Sequence, residues 1–68
     1  MRIELSKKRK AAGLTQKQMA EKMAITERYY RMIEAGEVNG SIWIWDFLED
    51  FFGVDQRTLR RDAPDKLI

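Results

Sequence analysis

Residues 15–36 read TQKQMAEKMAITERYYRMIEAG, and the two helix signals in this stretch decide the fold. Thr15 and Gln18 have the spacing of a capping box, in which each side chain satisfies an orphan N–H of the other's turn. Met19, Ala20 and Met23 then line one face of a first helix. Ala24 and Ile25 leave room only for a tight turn. Thr26 can cap a second helix, Glu27 in its first turn suits the helix dipole, and Gly36 ends it.

On a helical wheel, Tyr30 and Ile33 of the second helix fall together on the inward face. Arg28 and Met32 lie opposite, flanked by Arg31 and Glu27, with Tyr29 at the edge. A short helix with a basic outward face has the chemistry that a DNA major groove requires. Arginine donates two hydrogen bonds to guanine O6 and N7, an apolar side chain packs on a thymine methyl group, and glutamate accepts from cytosine N4. A merely solvated charged face is the bland alternative for these residues taken alone.

Working outward, the pattern gives five helices and no strand, because no period-two alternation occurs and Leu, Met, Ala, Lys and Glu carry the regular stretches. A first helix is expected over Arg2–Ala12, ended at Gly13. The loop EVNGS (37–41) has Asn-Gly turn chemistry. Ser41 can cap a fourth helix, IWIWDFLEDFF (42–52), which stops at Gly53. Asp55 can cap a fifth, QRTLRRDA (56–63), anchored by Leu59. Pro64 ends regular structure and DKLI reads as a frayed tail. The expected organisation is one all-α, five-helix domain over residues 1–62 with a central helix-turn-helix, followed by a tail over 63–68.

The 68 residues include neither cysteine nor histidine, which excludes a disulfide framework and a thiolate or imidazole metal site. The lack of cysteine is in keeping with a cytoplasmic compartment. No apolar run reaches the ~18 residues needed to span a bilayer. Without His or Cys, an enzyme would need carboxylates or lysines gathered in a cleft, and no such constellation stands out. No catalytic residue, cofactor, metal or small-molecule ligand is expected. The net charge of +2 hides an asymmetry. Residues 1–34 hold nine Lys/Arg against four Asp/Glu, and residues 35–68 hold four against seven. The first half would attract a polyanion, of which nucleic acid is the commonest. The run KKRK (7–10) is a weak signal for a nuclear localisation patch and reads better as a helical surface near phosphates.

The stretch LTQKQMAEKMAITERYYRMIEAG resembles the helix-turn-helix of the phage Cro and repressor family, also called XRE-like. The matching pieces are Leu14-Thr15-Gln16, Ala20, the turn at Ala24, the cap Thr26 and Glu34-Ala35-Gly36. On the flanks, KKRKAAGLTQ resembles the family's basic first helix and FLEDFFGVDQRTL its closing helix pair, so the similarity covers about residues 3–60. The resemblance implies a sequence-specific, double-stranded DNA-binding transcriptional regulator, with residues 26–35 as the recognition helix. It implies DNA contacts from Gln16, Lys17, Thr26, Glu27, Arg28, Tyr29, Arg31 and Met32, Gln16 also bracing the recognition helix. It implies a structural pair between Arg9 and Glu34, which would fix the angle of that helix. Three departures stand out. Ala24 replaces the usual glycine of the turn, Lys8 replaces an apolar residue so that its stem should pack while its ammonium reaches water, and the loop before the fourth helix lacks a proline.

The fourth helix carries an apolar surplus. Ile44, Trp45, Leu48 and Phe52 form an inward stripe, which Trp43, Phe47 and Phe51 extend around one flank. Either the fifth helix and the APDKLI tail cover that flank, or it is a self-association surface. Membrane insertion fits poorly, because the polar face of this helix is acidic. Within 68 residues no separate sensing or dimerisation domain is expected, unless the chain is a fragment of a larger multidomain repressor. A Cro-type or controller-type repressor is therefore expected, reading a near-palindromic operator as a homodimer in the nucleoid of a bacterial or phage-infected cell. The alternatives are an antitoxin-like or excisionase-like protein that also docks a protein partner, and an interaction module on the same fold that binds no DNA.

Overall fold

A computed structural model describes residues 1–61 as five helices, with no strand among them. They are α1 (Ile3–Ala11), α2 (Gln16–Met23), α3 (Glu27–Ala35), α4 (Ile42–Phe52) and α5 (Gln56–Arg60). The all-α, five-helix architecture expected of the sequence is the one observed. The expected boundary between domain and tail lies outside the described residues, and the fifth helix, expected over 56–63, ends at Arg60.

Local chemistry accounts for the ends of the central pair. Thr15 Oγ1 accepts from the Gln18 N–H at 3.0 Å, and the Gln18 side chain accepts from the Thr15 N–H at 2.9 Å, completing the capping box. Ala24 ends α2 in the left-handed conformation, φ 58°, ψ 38°. The Ile25 N–H reaches back to the Ala20 carbonyl at 3.0 Å, a six-residue closure that satisfies the helix end. Thr26 Oγ1 accepts from the Tyr29 N–H, and Gly36 ends α3 at φ 82°. The turn survives the replacement of the usual glycine, because alanine adopts the left-handed geometry that the closure requires.

The core gathers Leu5 from α1, Met19, Ala20 and Met23 from α2, Tyr30 and Ile33 from α3, Ile44, Trp45 and Leu48 from α4, and Leu59 from α5. Leu14, Ile25, Val38, Phe47, Phe52 and Val54 pack around it, partly buried. The Trp45 indole donates to the Asn39 carbonyl at 2.7 Å and lies close under the 37–41 loop. A Cβ added at Gly40, where φ is +73°, would stand 3.2 Å from Trp45 Nε1, so this loop needs its glycine for two reasons.

Three details differ from the sequence-based expectation. Arg2 does not open α1: the helix starts at Ile3, and Arg2 turns inward, 3% exposed. Its Nη1 donates to the carbonyls of Ile33 and Val38 and its Nε to that of Arg60. α5 stops at Arg60, with Arg61 extended, and the free carbonyl of its last residue accepts from the charged Arg2 Nε. Ser41 sits at the N-cap of α4 but its hydroxyl accepts no capping bond. Lys8 is exposed on the outer side of α1, in keeping with an ammonium that reaches water.

Candidate nucleic-acid interface

The geometry of α3 is set from behind. Glu34, 1% exposed, accepts four hydrogen bonds from three elements. Arg9 of α1 grips it with a fork, Nε to Oε2 at 2.9 Å and Nη2 to Oε1 at 3.0 Å. Tyr30 Oη donates to Oε2 at 2.7 Å, and Gln16 Nε2 of α2 donates to Oε1 at 3.1 Å. The remaining arm of Arg9 donates to the Leu14 carbonyl at 2.7 Å, tying the start of the α2 segment into the same knot. The pair expected between Arg9 and Glu34 is therefore present, and Gln16 braces α3 as expected.

Electrostatics follow from this network. Burial by itself would raise the Glu34 carboxyl, but the bonds from Arg9 and then Tyr30 together outweigh it and hold the carboxyl below the usual range. Burial, and then the bond to the Glu34 carboxylate, push the Tyr30 hydroxyl up. The bond to Glu34 raises Arg9 further. The buried knot is thus one carboxylate, one guanidinium and one neutral phenol, with every buried side-chain polar atom among the described residues satisfied.

With Tyr30, Ile33 and Glu34 buried, the opposite side of α3 faces outward. Arg28, Arg31 and Ala35 are exposed there and Met32 is half-buried. Glu27 lies on the flank, and its Oε2 accepts from Arg31 Nη2 at 2.7 Å. Thr26 is exposed at the start of α3, and Lys17 is exposed in the first turn of α2. Tyr29 is half-buried and packs against the core, so its ring is less available than an edge position implies. Gln16 is likewise half-buried, turned toward Glu34. The structure therefore gathers Arg28, Arg31, Met32 and Glu27 on one outward surface and holds Gln16 and Tyr29 partly behind it.

A helix-turn-helix family profile matches residues 5–55. The chain belongs to the helix-turn-helix family of Cro and XRE type. No curated protein and no solved structure gives a significant match. As a helix-turn-helix protein of this type, it falls among DNA-binding transcriptional regulators, a family that is generally non-enzymatic. In the family's terms, α2 and α3 are the two helices of the motif and α3 is its second helix. No helix among the described residues is long and apolar enough to cross a membrane.

Two features of this helix-turn-helix were missed in the sequence. The first is Arg2, three of whose hydrogen bonds go to main-chain carbonyls, which leave no pattern of residue types. The second is the bond from Tyr30 to Glu34: the i, i+4 spacing is present in the sequence, but a tyrosine on the inward face does not by itself show where its hydroxyl points. On α4, Trp43 is 50% and Phe51 42% exposed, whereas Phe47 is half-buried, packed against the core and stacked on Phe51 at 5.9 Å. Ile42, at the start of α4, is 80% exposed beside them.

Proposed function

We propose that this protein is a sequence-specific, double-stranded DNA-binding repressor that lays α3 (Glu27–Ala35) in the major groove. The observation that carries the reading is the outward surface of exposed Arg28 and Arg31 with half-buried Met32, on a helix whose back is locked by Arg9 and Glu34. A helix held at a fixed angle from behind can aim short-range hydrogen bonds at base edges. Thr26, Lys17 and the basic α1 supply phosphate contacts that set its register. Gln16 and Tyr29 contribute mainly by holding α3 and its N-terminal turn. Residues 1–62 form the DNA-binding unit, acting in the nucleoid of a bacterial or phage-infected cell, and repression follows from occupancy of a site needed by the transcription machinery.

The protein works as a homodimer on a near-palindromic site, with half-sites about one helical turn apart. Exposed Trp43 and Phe51 support the contact, since one such domain offers few base contacts of its own. The same two aromatics favour a second reading, an antitoxin-like or excisionase-like protein that docks a different protein there while α3 binds DNA. An interaction module that binds no DNA leaves the positive half of the chain and the outward arginines without a use.

The test is a selection of bound duplexes from a random pool, followed by a salt series. A preferred site, and a linear fall of log affinity with log salt, are expected. Arg28→Ala should weaken binding to that site by about 1–3 kcal/mol while sparing most affinity for random DNA. Equal losses on both would make Arg28 a phosphate contact.

A further inference from the structure

The two arginines on the outward face of α3 differ in their surroundings. Arg28 forms no ion pair with any described residue, whereas the Arg31 guanidinium rests on the Glu27 carboxylate at 2.7 Å. Both members of the pair are open to solvent, with side chains 62% and 37% exposed. An exposed pair of this kind adds little to the stability of a fold. What it does change is direction: Glu27, four residues before Arg31, takes one donor of the fork and leaves its other N–H groups to project from the helix.

The carboxylate has a second consequence. An anion on a helix that approaches DNA repels phosphate on every sequence, and it is compensated only where the groove offers it a donor. In the major groove the donors are the exocyclic amines of cytosine and adenine, while guanine O6 and thymine O4 are acceptors. Residues one turn apart are separated by about 5.4 Å along the helix axis, against about 3.4 Å between stacked base pairs. A pair at this spacing spans neighbouring positions of a site.

We propose that Glu27 and Arg31 read DNA as one unit: Arg31, aimed by Glu27, takes a guanine, and the Glu27 carboxylate accepts from the amino group of a cytosine on a neighbouring pair while rejecting bases that present an acceptor there. The inference rests on α3 being the major-groove helix. Its specificity arises partly by repulsion, which a row of arginines alone does not supply.

The test compares selections from a random duplex pool by the wild type, Glu27→Gln, Arg31→Lys and Arg28→Ala, each followed by titration on the selected site and its single-pair variants. Glu27→Gln and Arg31→Lys should relax the same positions, with discrimination there falling about fivefold or more, the low end for a bidentate base contact. Arg28→Ala should relax a different position. Glu27→Gln should also bind random DNA more tightly, because an anion has been removed, and Arg31→Lys should keep the salt dependence of the wild type, because the charge is kept. If Glu27→Gln tightens binding to all sequences by one factor and leaves base preference unchanged, the proposal is overturned and Glu27 is a surface partner only. If the wild type itself selects no site, the reading of α3 as a base-reading helix fails, and the proposal with it. Both side chains are exposed, so circular dichroism of the variants should match the wild type.

Discussion

Ala24 carries the turn between α2 and α3 at φ 58°, where a Cβ crowds the following carbonyl. Ala24→Gly relieves about 1–2 kcal/mol of that crowding and gives back part of it as chain entropy. The expected net gain is about 0.5–1 kcal/mol, seen as a rise in Tm of a few degrees. At Arg2, the opposite holds. Its guanidinium serves the carbonyls of Ile33, Val38 and Arg60 and lies over the Trp45 ring at 5.0 Å. Arg2→Ala leaves several carbonyls without a charged donor, and a loss of about 2–4 kcal/mol in urea unfolding is expected. Arg2→Lys should recover only a minor part, since an ammonium cannot reproduce the fork.

At the scale of the element, α3 is held by the knot at Glu34. Breaking one side of a buried pair costs about 3–5 kcal/mol, comparable to the whole net stability of a domain this small. A double-mutant cycle of Arg9→Ala and Glu34→Ala, measured in a stabilising osmolyte, should therefore return a clear coupling energy, and strict additivity would mean that the fork contributes nothing. The same knot sets an acid limit. Because the Glu34 carboxyl is held lower in the folded chain than in the unfolded one, its stabilisation is complete above the ordinary glutamate value of about 4.3. It is lost as pH falls through the lower folded value. Glu34→Gln should lower stability at neutral pH and flatten the fall of stability with acid, as read by unfolding midpoints across pH 2–7. A midpoint that falls with acid as steeply in Glu34→Gln as in the wild type would place the acid-sensitive group elsewhere.

At the scale of the molecule, assembly turns on α4. Phe47 is tied to the core, so the aromatics free to meet a second copy are Trp43 and Phe51. Trp43→Ser combined with Phe51→Ser should reduce self-association in sedimentation and cooperative binding to paired half-sites, while helix content stays unchanged. A wild type that sediments as a monomer at high concentration, and binds a single asymmetric site, would defeat the dimer and favour a different protein partner on this flank.

The sequence by itself determined the helices of the motif, their caps at Thr15 and Thr26, their ends at Ala24 and Gly36, and the burial of Tyr30, Ile33, Trp45 and Leu48. These features depend on short-range periodicity and capping, where neighbours in the chain are neighbours in space. The arginine surface of α3 was legible for the same reason, since one periodicity divides inward from outward. The Arg9–Glu34 pair was legible only through family resemblance, because nothing local links residues 25 positions apart. Only the tertiary structure decided where Arg2 goes, that α5 stops at Arg60, and which aromatics of α4 remain outside. Each of these depends on groups brought together by the packing of distant helices, and several on main-chain carbonyls. Every residue carries a carbonyl, so the order of side chains along the chain does not show which one a buried arginine will choose.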